Sequence, residues 1–134
     1  MIKSYEDLLV WQKSYALSLE IYKITRKFPK TEIYGLTSQI RRSSVSIPTN
    51  IAEGRGRQHI KEFLHFLYIA KGSLEETKVY LRLAKDLEYI SSEEFFTLTE
   101  KSNEVGRLLS GLIRSLHKGG GHASPSTQHL APST

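Results

Sequence analysis

Apolar residues recur at three- and four-residue steps along most of the chain, a spacing that is typical of amphipathic helices. The pattern predicts four long helices, at about 8–28, 32–53, 60–87 and from Ser91 to the glycines at 119–121. No strand pattern competes with them. Because the predicted connections are short, neighbouring helices should run antiparallel. We therefore expect an all-α fold, an up-and-down antiparallel four-helix bundle with a kinked second helix, over residues 1–118.

The third and fourth predicted helices each carry one main apolar stripe. The stripes are Ile60, Phe63, Leu64, Leu67, Ala70, Leu74, Leu81 and Ala84, and then Phe95, Leu98, Val105, Leu109, Leu112, Ile113 and Leu116. Ser91 and Glu94 fit a capping box at the start of the fourth helix. Gly72 interrupts the third helix at a cost of about 1 kcal/mol against alanine, and we expect it to let a neighbouring helix approach closely. Residues 119–134 are mostly Gly, Ser, Pro, Thr and His, and we expect a disordered tail there.

The first predicted helix has apolar residues on two opposite faces. One face holds Val10, Leu17, Ile21, Ile24 and Phe28, and the other holds Leu8, Trp11, Tyr15, Leu19 and Tyr22. A surface helix normally carries one apolar stripe, so something must cover the second face. Aromatic residues are enriched at interface cores, and we therefore predict an oligomer interface at Trp11, Tyr15, Leu19 and Tyr22. The alternative is that a neighbouring loop or the tail covers this face.

The second predicted helix contains a proline within its apolar stripe. The stripe is Leu36, Ile40, Ile47 and Ile51, with Ile33 before them. Pro48 removes one backbone donor and crowds the carbonyl of Ser44, four residues earlier. The stripe continues in phase to Ile51, which favours one kinked helix over two separate elements. Gly54 then supplies a natural stop, followed by a turn over residues 54–57.

The basic excess lies in the first half of the chain. Residues 1–57 hold ten Lys and Arg against five Asp and Glu, whereas residues 58–134 hold nine of each. This asymmetry indicates an anionic partner. Four arginines flank the proline and the turn, at positions 41, 42, 55 and 57. The turn has glycines at alternate positions, so its backbone amides are expected to approach a phosphate directly.

Signals for catalysis are weak. The chain has no cysteine, which excludes disulfides and thiolate metal sites. Glu62 and His65 form one Glu-x-x-His unit, which di-iron bundles use twice, but both are expected to point away from the core. Glu62 is better interpreted as a cap for the third helix, three residues after His59. We expect neither an enzyme nor a bound cofactor or metal, and the absence of a signal-type or membrane-spanning run favours a cytoplasmic protein.

Several motifs resemble one known family. They are Asp7-Leu8 with Val10-Trp11-Gln12, Phe28-Pro29, Glu32-x-Tyr34-Gly35-Leu36, Gln39-Ile40-Arg41-Arg42, Ser46-Ile47-Pro48-x-Asn50-Ile51-Ala52-Glu53-Gly54, and Glu62-Phe63-x-x-Phe66-Leu67-x-Ile69-Ala70-x-Gly72-Ser73-Leu74. In order and spacing they resemble the bundle proteins encoded by intervening sequences of bacterial 23S ribosomal RNA genes, also called S23 ribosomal proteins. The resemblance covers about residues 4–117. It departs at His59, where the family usually has a small hydroxyl residue.

The resemblance implies a four-helix up-and-down bundle, commonly in a ring-shaped homopentamer, with no catalytic residue to carry over. It also places the chain beside accessory proteins of diversity-generating retroelements, which are similar in fold and bind nucleic acid and a reverse transcriptase. Together with the charge, this predicts a non-enzymatic oligomer that binds RNA or structured nucleic acid. The predicted phosphate contacts are Arg41, Arg42, Arg55, Arg57 and Lys61, assisted by the lysines of the first helix.

A different function remains open, that of a protein-interaction scaffold or accessory subunit without nucleic-acid contact. In that case the arginines make intersubunit ion pairs with Glu32, Glu53 or Glu62. Neither possibility involves a membrane or a small-molecule substrate.

Overall fold

The computed structural model describes residues 4–119, and within this range the chain forms four long helices. They are α1 (Leu9–Thr25), α2 (Leu36–Arg55), α3 (Ile60–Asp86) and α4 (Ser92–Gly119). Short 3-10 turns at Tyr5–Asp7 and Lys30–Glu32 precede α1 and α2. The predicted all-α bundle is confirmed. Gly119 is the last residue of α4, and the rest of the predicted tail, residues 120–134, lies outside the described residues.

Each helix packs against the next along the chain, and α4 returns to pack against α1. The backbones of the diagonal pairs, α1 with α3 and α2 with α4, stay more than 8 Å apart. This arrangement is a square up-and-down bundle with one core on its axis. The predicted stripes of α3 and α4 are buried at Phe63, Leu67, Ala70, Leu74, Leu81, Ala84, Leu98, Val105, Leu109, Leu112, Ile113 and Leu116, with Ile60, Leu64 and Phe95 partly buried.

The start of α1 differs from the prediction. Leu8 caps the helix in an extended conformation, with φ −80° and ψ 128°, and its side chain is fully buried in the core. The helical spacing that placed Leu8 on the exposed aromatic face therefore does not apply to it. Phe28 lies beyond the end of α1 and is also buried, since the chain after Thr25 turns back over the core.

The second helix begins four residues later than predicted. The Glu32 carboxylate accepts a hydrogen bond from the Leu36 amide at 3.0 Å and another from the Tyr89 hydroxyl at 2.8 Å. These bonds lower the pKa of Glu32, the Leu36 amide contributing most. Ile33 lies outside the helix and is exposed, so its predicted place in the apolar stripe is wrong. Gly35 at the cap leaves room for the Glu32 carboxylate, which a Cβ would approach to 2.6 Å.

The second helix runs through Pro48 without a break, as predicted. Because proline has no N–H, the Ser44 carbonyl receives no helical hydrogen bond from position 48. The Ser18 hydroxyl on α1 lies 2.9 Å from that carbonyl and donates to it, and this contact is buried. The same hydroxyl lies 3.1 Å from the Ser14 carbonyl of its own helix. A side chain of α1 thus satisfies the acceptor that Pro48 leaves open.

Small side chains and hydroxyl pairs form the interface between α2 and α3. Ser43 Oγ lies 2.8 Å from Thr77 Oγ1, and Ser46 Oγ lies 2.8 Å from Ser73 Oγ. Ser43, Thr77 and Ser73 are all buried. Because the distance between packed helices depends on the side chains at the contact, these small residues allow α2 and α3 to lie close together.

Gly54 belongs to the α2–α3 interface and does not end the second helix as predicted. The helix continues to Arg55 and is capped by Gly56. A Cβ at position 54 would lie 2.8 Å from Phe66 Cβ and 2.9 Å from Phe63 Cδ1. The glycine is needed because α3 packs directly against it.

The prediction of close approach at Gly72 is wrong. Gly72 is exposed, and a Cβ there would meet no heavy atom within 4 Å. It lies two residues before the buried Leu74, about 200° around the helix, and therefore on the outer side of α3. Its helical position, and not its size, determines that no neighbouring helix lies over it.

The connection from α3 to α4 is defined by local hydrogen bonds. The Glu88 amide donates to the Lys85 carbonyl at 2.9 Å and the Tyr89 amide to the Ala84 carbonyl at 2.8 Å, the pattern of a Schellman motif, with Glu88 at φ 64°. The predicted capping box is confirmed. The Glu94 amide donates to Ser91 Oγ at 3.0 Å, and the Ser91 amide donates to Glu94 Oε1 at 2.8 Å.

Candidate interaction surfaces

An open groove runs between α1 and α2 and is lined mainly by apolar side chains. Its exposed members are Tyr15, Leu19, Tyr22 and Val45, and Pro48 and Ala52 form part of its wall. Tyr15, Leu19 and Tyr22 expose 46%, 52% and 41% of their surface. The opposite face of α1 is buried at Val10, Leu17 and Ile21, so the two apolar faces predicted for this helix are both present. We call this feature the α1–α2 groove.

Trp11, the fourth predicted interface residue, is more enclosed. Its ring stacks on that of Tyr15, with centroids 4.9 Å apart, and meets the edge of Tyr5 at 5.0 Å. Tyr5 belongs to the 3-10 turn before α1, so this turn covers one end of the aromatic face. Within residues 4–119 no ring or turn covers Leu19, and Tyr22 is covered on one ring face by Arg41 while staying 41% exposed. The covering loop considered above therefore accounts for Trp11 alone.

Arg41 is tied to α1. Its Nε donates to Thr25 Oγ1 at 2.8 Å, and its guanidinium carbon lies 4.6 Å from the centroid of the Tyr22 ring. One terminal nitrogen also lies 3.5 Å from the Tyr22 carbonyl. These contacts hold Arg41 against the last turn of α1 and against the Tyr22 ring. Arg42, next along α2, is exposed, because adjacent residues of a helix point about 100° apart.

The other predicted phosphate contacts lie at the far end of α2. Arg41 and Arg55 are 14 residues apart on one helix, which separates their backbones by about 21 Å. Arg57 pairs with Glu53 at 3.0 Å and covers the Phe66 ring at 4.9 Å, whereas Lys61 is exposed. The predicted contacts therefore fall into two separate groups.

The backbone amides of the 54–57 turn are not available to a phosphate as predicted. The Gly56 amide donates to the Ala52 carbonyl at 3.3 Å, and the Arg57 amide donates to the Gly54 carbonyl at 3.0 Å. These residues form the carboxyl end of α2, where the helix dipole is negative and disfavours an anion. Arg55 is half-buried, and its Nε has no hydrogen-bond partner among the described residues.

The acidic residues considered for intersubunit ion pairs have different environments. Glu32 accepts hydrogen bonds from the Leu36 amide at the start of α2 and from the Tyr89 hydroxyl. Glu53 forms an ion pair with Arg57 of the same chain. Glu62 is exposed, and no side-chain hydrogen bond caps α3 at His59, so the predicted capping by Glu62 is wrong. His65 is also exposed. Within residues 4–119, no three His, Cys, Asp or Glu side chains form a group that could hold a metal ion.

Two further grooves have contrasting charge. The groove between α1 and α4 is lined by three basic and three acidic residues, Lys23, Lys27, Lys101, Glu20, Glu93 and Glu94. Lys27 pairs with Glu94 and Lys101 with Glu20, at 2.6 Å and 3.3 Å. The Lys27 contact, followed by the Ser91 amide, lowers the pKa of Glu94. The groove between α3 and α4 is instead lined by Lys71, Lys78, Arg107 and Arg114 with Glu75 as its single acid.

The α3–α4 groove was missed by the sequence analysis. Its signal was the seven-residue spacing of Lys71 with Lys78 and of Arg107 with Arg114, which places each pair on one helix face. Counting charge over residues 58–134 gave zero and concealed it. No helix in the described part of the chain is long and apolar enough to cross a membrane.

The fold and its surfaces define a four-helix up-and-down bundle without a recognisable catalytic centre in residues 4–119. The chain matches the 23S rRNA-intervening sequence protein family over residues 6–111, and it belongs to that family. This confirms the resemblance found in its motifs.

A solved structure agrees with the family. It is the crystal structure of a protein of unknown function from the S23 ribosomal protein family of Bacteroides thetaiotaomicron, 30% identical in sequence with a TM-score of 0.71. The match covers 78% of this chain and 98% of that one. Comparison with curated proteins finds no match. The family and this neighbour do not point to an enzyme.

Proposed function

We propose that this protein is a non-enzymatic module that assembles into a ring-shaped homo-oligomer, a pentamer by the family resemblance, and that the assembly binds RNA. The observation that carries the assembly is the α1–α2 groove, with Tyr15, Leu19 and Tyr22 on its exposed rim. Exposed aromatic and aliphatic side chains that lie together mark an interaction surface, whereas scattered ones do not.

The groove has a matching partner surface elsewhere on the same molecule. On the outer side of α3, Tyr68, Val79 and Leu83 expose 50%, 64% and 44% of their surface, and Gly72 lies between them. We call this the α3 ridge. Because no atom lies over Gly72, another chain can approach the α3 backbone closely there. Seating the α3 ridge of one copy in the α1–α2 groove of the next covers both apolar surfaces at once.

Such a contact joins two different surfaces and is therefore heterologous. Heterologous contacts produce rings when the rotation between neighbours closes. The α3 ridge lies across the bundle from α1, because α1 and α3 form a diagonal pair whose backbones stay more than 8 Å apart. Each copy can therefore present both surfaces simultaneously. This supports a cyclic assembly over a two-fold dimer.

RNA binding is supported by basic side chains that have no acidic partner in the described part of the chain. Arg42 and Lys61 are exposed and unpaired there, and Lys71, Arg107 and Arg114 belong to the same class. Such side chains bind phosphates with little sequence preference. Ring symmetry would repeat a weak site on every subunit and raise affinity for a long RNA.

The scaffold function without nucleic acid is favoured by one observation. Arg41 and Arg57, two of the predicted phosphate contacts, are already engaged within the chain, by α1 and by Glu53. Under that alternative the same assembly would bind another protein. An RNA-binding measurement on the wild-type assembly separates the two.

The assembly proposal is tested with two blocking variants. Leu19→Asp places a charge in the α1–α2 groove, and Val79→Asp places one on the α3 ridge. The wild-type protein should elute at several times the chain mass of 15.3 kDa, five times for a pentamer, and each variant should be a folded monomer by light scattering and thermal melting. Phe96→Asp, at an apolar α4 position that is 65% exposed and lies outside both surfaces, is the matched control and should assemble normally.

Mixing the two blocked variants makes the test specific for a heterologous contact. The Val79→Asp copy retains an intact groove and the Leu19→Asp copy retains an intact ridge, so the mixture should form a dimer with one of each. A groove-to-groove contact would instead let Val79→Asp associate on its own and leave Leu19→Asp monomeric, with no new species on mixing. A wild-type monomer at micromolar concentration would contradict assembly altogether.

A further inference from the structure

We infer that the α3–α4 groove binds the phosphate backbone of RNA. This inference rests on the proposed RNA binding and assigns it to a surface other than the arginines of α2. The groove is lined by Lys71 and Lys78 on one side and by Arg107 and Arg114 on the other. Glu75 is the single acidic residue that lines it, which leaves a formal excess of three positive charges in one place.

The charges of this groove remain available to a ligand. Lys78 lies 3.6 Å from Glu75, and among residues 4–119 Lys71, Arg107 and Arg114 form no ion pair. The groove between α1 and α4 shows the opposite arrangement, because its ion pairs neutralise it. Of two grooves that both include α4, one is therefore neutral and the other keeps an excess of positive charge.

The spacing of the basic residues favours an extended anion. Lys71 and Lys78 are seven residues apart on α3, as are Arg107 and Arg114 on α4, and this corresponds to about 10.5 Å along each helix. Packed helices lie about 8–10 Å apart, so the four side chains surround a surface about 10 Å on each side. A nucleic-acid strand, which carries a charge on every nucleotide, can place successive phosphates along this surface.

The floor of the groove is suited to a polar ligand. Gly106 lies there, where a Cβ would meet Leu74 Cδ2 at 3.4 Å, and the missing side chain leaves the α4 backbone accessible. Asn103 and Ser110 flank it, and neither side chain has a hydrogen-bond partner within residues 4–119. Asparagine and serine are common donors to phosphate and sugar oxygens.

An apolar protein partner is disfavoured at the same surface. Leu74 is the apolar side chain among the lining residues, and it is 1% exposed. Protein interfaces have cores that are depleted in charged residues, and this groove offers the reverse. The bundle therefore separates two surfaces, an apolar one suited to another copy of the chain and a basic one suited to a polyanion.

The test measures binding of a fluorescently labelled single-stranded RNA oligonucleotide to the full chain over a range of salt. Arg107→Ala combined with Arg114→Ala should weaken binding and reduce the slope of log affinity on log salt by about 1.4, because each phosphate that a side chain neutralises on a single strand contributes about 0.7 to that slope. Arg26→Ala combined with Lys30→Ala removes the same charge from exposed positions outside the α3–α4 groove and is the control. It should leave the slope close to that of the wild type.

A single substitution gives a sharper test, because the proposal predicts that it strengthens RNA binding. Glu75→Gln removes the acid from the groove and frees Lys78, so RNA binding should become severalfold tighter. Glu76→Gln makes the same change of charge at the neighbouring residue, about 100° around the helix, and should have a smaller effect. Thermal melting of each variant checks that the fold is kept.

The outcomes separate the two proposals. If both the arginine pair and the control pair weaken binding equally when changed to alanine, or if Glu75→Gln and Glu76→Gln act alike, net charge alone attracts RNA and the groove assignment is wrong, although RNA binding stands. If the wild type fails to bind RNA at low salt, both the groove assignment and the proposed RNA binding are wrong.

Discussion

The two sides of α2 meet their neighbours in different ways. Toward α3, Ser43 and Ser46 pair with hydroxyls of the facing helix, and Gly54 lies against two phenylalanine rings. Toward α1, Tyr22 and Val45 stand on opposite walls of an open groove. The side that carries small residues closes tightly, and the side that carries large ones stays open. The size of the side chains at the contact determines which of the two happens.

The comparison also shows that residue polarity alone does not tell which surface is buried. Ser43 and Thr77 are 5% and 0% exposed, whereas Tyr15 and Leu19 are about half exposed. Buried hydroxyls are stable because they satisfy one another or a helix carbonyl. Exposed aromatic residues are informative for the opposite reason, since a contiguous apolar surface indicates a partner. Three pairs of substitutions test it, from the largest expected effect to the smallest.

The largest effect is expected for Ile47→Asp, on the buried side of α2. Ile47 is fully buried, and an unpaired carboxylate there would cost more than about 4 kcal/mol, a large part of the stability of a small domain. We expect the protein to be unfolded by circular dichroism and to lose its thermal transition. Val45→Asp, two residues away and 38% exposed in the α1–α2 groove, should change the stability of the folded chain by less than about 1 kcal/mol. Equal behaviour of the two variants would contradict the placement of α2.

Smaller effects on stability are expected at two glycines, where the same substitution to alanine should destabilise the chain at one position and stabilise it at the other. Gly54→Ala forces a Cβ to within 2.8 Å of Phe66 Cβ and should destabilise the bundle by about 1–3 kcal/mol. Gly72→Ala adds a Cβ in open space on α3 and should stabilise the chain by up to about 1 kcal/mol through helix propensity. Denaturant unfolding of both variants measures the difference. Stabilisation by Gly54→Ala would show that α3 does not pack directly against this glycine.

The smallest effect concerns the hydrogen bond that replaces the one missing at Pro48. Ser18→Ala removes the donor to the Ser44 carbonyl and should cost about 1 kcal/mol, the typical net contribution of one hydrogen bond. In the background of Pro48→Ala, the restored amide can donate to the same carbonyl, so Ser18→Ala should cost less. A double-mutant cycle on denaturant unfolding measures this coupling. Additive effects of the two substitutions would mean that Ser18 does not compensate for the proline.

Much of the fold could be predicted from local patterns. The apolar stripes of α3 and α4, the capping box at Ser91 and Glu94, and the continuity of α2 through Pro48 all depend on residues within a few turns of one another. The errors at two glycines have a common origin. Gly54 and Gly72 look alike in sequence, and what decides their roles is whether another helix lies over them.

The candidate sites show that a count of charges along the chain does not locate a charged surface. A count along the chain placed the basic excess in residues 1–57, where Arg57 is paired with Glu53. The second half balances to zero because acids on other faces, such as Glu94 and Glu104, which pair with Lys27 and Lys13, are counted together with the basic residues of the α3–α4 groove. A sum over a segment averages the faces of its helices and cannot show that one groove keeps its positive charge.

The sequence by itself determined the number and periods of the helices, the two apolar faces of α1 and membership of the family, because each depends on short-range spacing or on motif order. Tertiary structure decided which helices are neighbours. That choice produced the contact between Ser18 and Ser44, which are 26 residues apart, and the hydrogen bond from Arg41 to Thr25. It also brought the basic residues of α3 and α4 to face one another. These features join residues that are distant along the chain. Local periodicity fixes the face on which a residue lies, and only the packing of helices determines what that face meets.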